Sequence, residues 1–241
     1  MKRPPAQASL GFTRQDKVRH RQWSERAQGK KVRRGPGRPK SKTSGVSHLK
    51  RPELAEKSAV HVTLKVRKHV PNLRSRRRFS VIKKAFVRFC TGQGFRLVRF
   101  SVLSNHMHFV LEADSKKALS LGMQKLSHSI SRRLSALNVR ENGGKVSTKA
   151  GKYTESKGWL GKVFADRYHA HVLKTPTEMQ HAIRYVLQNA EHHHVYNVNA
   201  EIVDEFCSAA KGNVGLTTSP LGYLLRRACD AYPSMPRRTA K

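Results

Sequence analysis

The run Ser104-Asn105-His106-Met107-His108-Phe109-Val110-Leu111 constrains the fold more than any other stretch of this chain. It is short and apolar and follows a turn-forming asparagine, which predicts a β-strand. Side chains at i and i+2 of a strand share a face. His106 and His108 therefore project together, and Met107 points the opposite way into a core. A sheet built on this strand has an apolar face and a face that carries two neighbouring imidazoles. Two such imidazoles are half of a metal site. They are equally the picture of two hydrogen-bonded strand histidines, so the rest of the chain decides between the readings.

The flanking patterns supply the other elements. Val60, Val62, Leu64 and Val66 alternate with polar residues, as in a half-buried strand. A helix over about 79–91 carries Phe79, Ile82, Phe86 and Phe89 on one side, and Gly92 and Gly94 stop it. Residues 95–103 form a second strand, which bends at Asn105 into the histidine strand. Asp114 and Ser115 can cap a long helix to about Leu137, striped by Leu119, Met123, Leu126, Ile130 and Leu134. Residues 138–158 hold Gly143, Gly144, Gly151 and Gly158 and read as a loop. Residues 159–173 return to strand character. Thr175-Pro176-Thr177-Glu178 then makes a capping box with a favoured proline, opening a helix to about Glu191. Segments 201–210 and 223–231 have weaker helical character. The order β-α-β-β-α-loop-β-α predicts an α+β fold of ferredoxin-like type, an antiparallel sheet with helices packed on one face.

Charge narrows the partner. Of 241 residues, 49 are Lys or Arg and 15 are Asp or Glu, a net charge of +34. That excess repels itself unless a polyanion neutralises it, and nucleic acid is the polyanion it predicts. Residues 1–58 carry +13, residues 59–194 carry +19 and residues 195–241 carry +2, so the folded middle is itself basic. Residues 1–58 are rich in Lys, Arg, Gly, Ser and Pro and are expected to be a largely disordered DNA-binding tail. Within that tail, Arg34-Gly35-Pro36-Gly37-Arg38-Pro39-Lys40 resembles an AT-hook, with Arg38 the residue that would enter a narrow minor groove. Pro36 interrupts the usual Arg-Gly-Arg-Pro. Cys90, Cys207 and Cys229 are odd in number and far apart, which fits neither a disulfide framework nor a zinc finger. No leader-like or membrane-spanning run is present. A cytoplasmic, nucleoid-associated protein without a membrane partner is expected.

The helix from Pro176 contributes the second half of a chemical constellation. Its apolar stripe is Met179, Ala182, Ile183, Val186, Leu187 and Ala190. At about 100° per residue, Tyr185 falls off that stripe, and Asn189 lies one turn on. His181 and His192 share this polar face. A tyrosine off the stripe of a helix is ordinarily a surface residue. In a basic α+β chain with a His-x-His strand it gains a purpose. The imidazoles and the Asn189 amide oxygen would hold one divalent cation, and Tyr185 would attack a phosphate in line.

These residues resemble the single-tyrosine HUH transposases, in particular the REP-associated tyrosine transposase branch. The histidine pair with its hydrophobic centre is His106-Met107-His108, preceded by Asn105, and the helix motif Tyr-x-x-x-Asn is Tyr185-Val186-Leu187-Gln188-Asn189. Phe164-Ala165-Asp166-Arg167-Tyr168-His169 resembles the family's strand leading into that helix. The likeness spans about residues 59–194, read as the catalytic domain, with residues 195–241 a partly helical extension. It implies a transposase that cleaves and rejoins single-stranded or hairpin DNA by transesterification. The reaction would use Mg²⁺ or Mn²⁺ and leave a 5′-phosphotyrosine and a free 3′-OH. His106 and His108 would be metal ligands, Asn189 the third, and Tyr185 the nucleophile. Ala190 stands where the branch often has proline, and Gln188 neighbours the third ligand position. Monomers and homodimers both occur in the family.

Several residues compete for roles. His169-Ala170-His171 is a second His-x-His, read as surface or DNA-contacting. Tyr168 is a rival nucleophile without an amide partner at i+4, better suited to stacking or packing. His192-His193-His194 reads as a solvated helix end. Trp159 and Phe164 fit core packing as well as base stacking. Arg74, Arg76, Arg77, Arg78, Arg132, Arg133 and Arg167 are the candidate phosphate contacts. Two further functions fit the same features: a non-catalytic, domesticated DNA-binding protein, and a hydrolytic metal-dependent nuclease with no covalent intermediate.

Overall fold

A computed structural model describes residues 51–89, 91–92, 94–144, 160–189, 203–213 and 215–231. The AT-hook-like segment with Arg38, Trp159, Ala190 and the histidines at 192–194 lie outside the described residues.

Strand β1 (Ser58–Lys65) sends Val60, Val62 and Leu64 into the core, leaving His61 and Thr63 on the other face. Helix α1 (Arg76–Phe89) buries Phe79, Ile82, Ala85 and Phe86. Strands β2 (Thr91–Gly92) and β3 (Phe95–Val102) form a hairpin, with Gly94 at φ +73° in its turn. That left-handed backbone favours glycine. Strand β4 is His106–Ala113. Helix α2 (Lys116–Glu141) starts at Ser115, whose side chain accepts the Ala118 N–H. It buries the predicted stripe and runs about a turn past Leu137, because Val139 extends the stripe into the core. Strand β5 (His169–Leu173) leads into helix α3 (Pro176–Leu187), and helix α4 is Tyr223–Asp230.

The sheet order is β2-β3-β4-β1-β5 and every neighbouring pair is antiparallel. Apart from the two-residue β2, this is the ferredoxin-like arrangement the element order predicts. Helices α1 and α2 cover the face that carries Val60, Val62, Leu64, Met107, Phe109 and Leu111. Their approach is close: a Cβ on Gly122 of α2 would lie 2.3 Å from the Phe95 ring.

The expectation of helices on one face needs correction. Met179, Ala182, Ile183, Val186 and Leu187 of α3 pack with Leu225 and Ala228 of α4 over Ala59, Val98, Val110 and Leu173. Those residues belong to the opposite face, so the sheet is covered on both sides. Two further elements differ. Only the last five residues of the predicted 159–173 strand pair as a strand, with Phe164 making an isolated bridge to Val66. Gly161, at φ +57°, turns the chain before them. Residues 203–210 are not helical. Their backbone pairs with β3 through Val102 N–H to Phe206 O (3.0 Å) and Ser208 N–H to Phe100 O (2.9 Å). The short β2 leaves this edge of β3 open, and an open edge seeks a backbone partner.

Candidate active site

Register places the histidines. His108 of β4 sits opposite Thr63 of β1, and His106 opposite Lys65. On the other side of β1, His61 faces His171 and Thr63 faces His169 of β5. All these residues therefore share the face covered by α3, while Met107 is fully buried in the opposite core, as its position in the strand predicts. The His106 and His108 ring centroids are 4.8 Å apart.

Helix α3 brings the tyrosine to them. The Thr175 side chain accepts the Glu178 N–H and the Glu178 carboxylate accepts the Thr175 N–H, which completes the predicted capping box. The stripe from Met179 to Leu187 docks the helix on the sheet. Tyr185, at the border of that stripe, is half-buried, with its ring edge-on to His108 at 5.2 Å and to His61 at 5.9 Å. Two sequence patterns of different period thus converge on one place. Helix α3 ends at Leu187, where Gln188 N–H closes on Arg184 O; Asn189 is again helical, and the predicted end at Glu191 lies outside the described residues.

The polar environment of the imidazoles is specific. His106 Nδ1 lies 2.6 Å from Asn105 Oδ1. His108, only 5% exposed, has Nδ1 at 3.2 Å from both Thr63 Oγ1 and His61 Nε2. With Nδ1 hydrogen-bonded on both rings, Nε2 is the nitrogen suited to a ligand. His61 was not among the sequence candidates. Its pKa is lowered to about 4, by burial first and then by the charges of His171 and His169, so its ring is neutral near pH 7.

Asn189 is fully buried, and neither atom of its amide has a hydrogen-bond partner among the described residues. An unsatisfied buried polar group costs about 1–3 kcal/mol, so a buried amide of this kind fits a ligand group. Among the described residues no group of three or more His, Cys, Asp or Glu is arranged to hold a metal ion. The Asn189 amide oxygen, one helical turn on from Tyr185, is a candidate donor of another type for a cation at the His106–His108 pair. On these observations the residues present fit a divalent cation.

The rival nucleophile separates from this centre. Tyr168 packs against the α1/α2 core on the far side of the sheet, under the Arg51 guanidinium, which is 3.7 Å from its ring centroid. Burial raises its phenol pKa, which disfavours the nucleophilic form. His169, His171 and His181 are exposed.

The arginines divide as well. Arg76, Arg77 and Arg132 are exposed, and Arg133 and Arg167 are partly buried. Arg74 is not at the surface as a phosphate contact. It makes a bidentate pair with Asp204 (2.7 and 2.9 Å), donates to Val102 O and lies over the Phe206 ring, with its side chain 7% exposed. Arg78 is engaged in a surface ion pair with Glu141 at 2.6 Å.

Residues 55–189, more than half of the chain, match the IS200-like transposase family, and the chain belongs to that family. Among solved structures it is similar to a REP-associated tyrosine transposase bound to a REP hairpin, with 14% identity and a TM-score of 0.49 over 72% of this chain and 91% of that one. It is also similar to a protein of Deinococcus radiodurans R1 assigned as a transposase, with 16% identity and a TM-score of 0.37 over 61% and 98% of the two chains. No curated protein matches the sequence.

Proposed function

We propose that this IS200-like transposase is a metal-dependent tyrosine strand transferase of the REP-associated branch. It cleaves and rejoins single-stranded DNA next to hairpins. The observation that carries this reading is the contact of Tyr185 with His108, because it joins the nucleophile and a metal ligand that lie on separate elements. The branch assignment rests on Asn105-His106-Met107-His108 and on the Tyr185–Asn189 spacing.

In this reading the Tyr185 hydroxyl loses its proton and its oxygen attacks the scissile phosphorus. The Tyr185 Oη–P bond forms as the P–O3′ bond breaks. The 3′ oxygen leaves and takes up a proton, and the 5′ phosphate stays on the tyrosine. The bond energy is kept in that ester, so a 3′-OH can later attack the same phosphorus and rejoin the strands. His106, His108 and Asn189 would hold Mg²⁺ or Mn²⁺, which supplies Lewis-acid polarisation of the phosphate and charge stabilisation for the departing oxygen. The α3 stripe keeps Tyr185 beside the histidine face, and the packed sheet beneath limits its motion. His106, His108 and Tyr185 come together within a single chain, which supports action as a monomer.

The test is incubation of the protein with end-labelled hairpin DNA and Mn²⁺, followed by a denaturing protein gel. The expected result is a covalent adduct that disappears with Tyr185→Phe and with chelator. Cleavage without an adduct would identify a hydrolytic nuclease instead. Binding without cleavage across a panel of hairpins would identify a DNA-binding module.

A further inference from the structure

His61 has no signal in the sequence, yet it touches both halves of the candidate centre. Its ring is stacked on His108 with centroids 5.3 Å apart and planes 19° apart, and it meets Tyr185 edge-on at 5.9 Å. Its Nε2 and the Thr63 hydroxyl both lie 3.2 Å from His108 Nδ1. Thr63 is the cross-strand partner of His108, and His61 is two residues earlier on the same face. Strand pairing therefore sets the positions of both groups.

An imidazole binds a cation through a lone pair, so the other nitrogen must carry the proton, and that proton needs an acceptor. At His106 the side-chain oxygen of Asn105 is the acceptor, within the recognised motif. At His108 the Thr63 hydroxyl oxygen and the His61 lone pair on Nε2 are acceptors within reach.

We propose that His61 and Thr63 are positioning residues that hold His108 as its Nδ1–H tautomer, directing its Nε2 lone pair to the cation, while the His61 ring sets the place of Tyr185. His108 Nδ1–H donates to Thr63 Oγ1 or to His61 Nε2, and His61 then carries its own proton on Nδ1. This inference rests on the metal-dependent reading above, but its first test does not.

That test is long-range ¹H–¹⁵N NMR of the metal-free, full-length protein near neutral pH. The expected result is His108 protonated on Nδ1. A majority protonated on Nε2 overturns the proposal. The second test is Mn²⁺ or Co²⁺ affinity without DNA, read by electron paramagnetic resonance or visible absorption, with thermal melting as the folding control. The double variant His61→Phe/Thr63→Val keeps the bulk and removes both acceptors. It is expected to bind metal about 10–100-fold more weakly. Thr63→Ser keeps the hydroxyl and is expected to stay close to the native affinity, whereas Thr63→Val is weaker. Equal losses in those two variants, or unchanged affinity in the double variant, would reduce His61 and Thr63 to packing residues and overturn the proposal. His106→Ala separates the two readings. If the native protein binds no metal and His106→Ala changes nothing, the metal-dependent function fails, and the tautomer measurement still decides the role of His61 and Thr63.

Discussion

Tyr185 and Arg74 show how differently two side chains of obvious interest can be used. Tyr185→Phe removes one oxygen and keeps the ring contacts to His61 and His108. It is expected to lower adduct formation by several orders of magnitude, while urea unfolding changes by no more than about 0.5 kcal/mol. A large loss of stability would show that the hydroxyl is structural. Arg74→Ala acts the opposite way. It leaves the Asp204 carboxylate, 2% exposed, without its guanidinium, and is expected to cost about 3–5 kcal/mol in urea unfolding. His106, His108 and Tyr185 were legible because each breaks or uses a local period. Arg74 was misleading because Asp204, its partner, is remote in sequence and no local pattern announces it. His61 was silent for a related reason. Alternation alone marks its face of β1 as polar, and only the docking of α3 turns that face into the wall of a site.

At the scale of elements, the capping box of α3 is the local device that sets where Tyr185 arrives. Thr175→Ala removes the side-chain acceptor for Glu178 N–H and is expected to cost about 1 kcal/mol, measurable by thermal melting, with a parallel drop in adduct yield as the first turn frays. This start was legible from Thr175, Pro176 and Glu178, just as α2 was legible from its long stripe. Strand content beyond Ala113 was legible only in part. In β5 only five residues pair, since the preceding segment spends its backbone on isolated contacts such as Ala165 N–H to Lys65 O (2.9 Å). The segment at 203–210 has weak helical character in sequence, but the open edge of β3 offers its backbone a better set of partners.

Across the whole molecule, the two described cysteines report on integrity. Cys207 and Cys229 are buried, and burial pushes the Cys207 thiol up to about 11, from an ordinary value of 9. Both should resist alkylation at pH 8 and react once denaturant opens the fold, as mass spectrometry of labelled peptides would show. The sign for stability follows from the raised value. The Cys207 contribution is complete below about pH 9 and is lost as pH rises through about 11. A melting temperature that rose over that interval would contradict the assignment.

Glu112 has a bearing on how this chain can be divided. Its fully buried carboxylate takes Arg96 from the neighbouring strand and the backbone N–H groups of Leu221 and Gly222, which open α4, and α4 in turn packs on the helix that carries Tyr185. The stretch that matches the family ends at residue 189, so the clasp holding the nucleophile's helix is fastened by residues beyond it. A chain stopped at residue 202 would strand a charged pair inside the sheet and bare the apolar side of α3. Loss of cooperative unfolding is the expected result by circular dichroism in urea. The smallest piece able to fold is thus set by an acid on the fourth strand and its distant backbone partners, and not by the boundaries of sequence likeness.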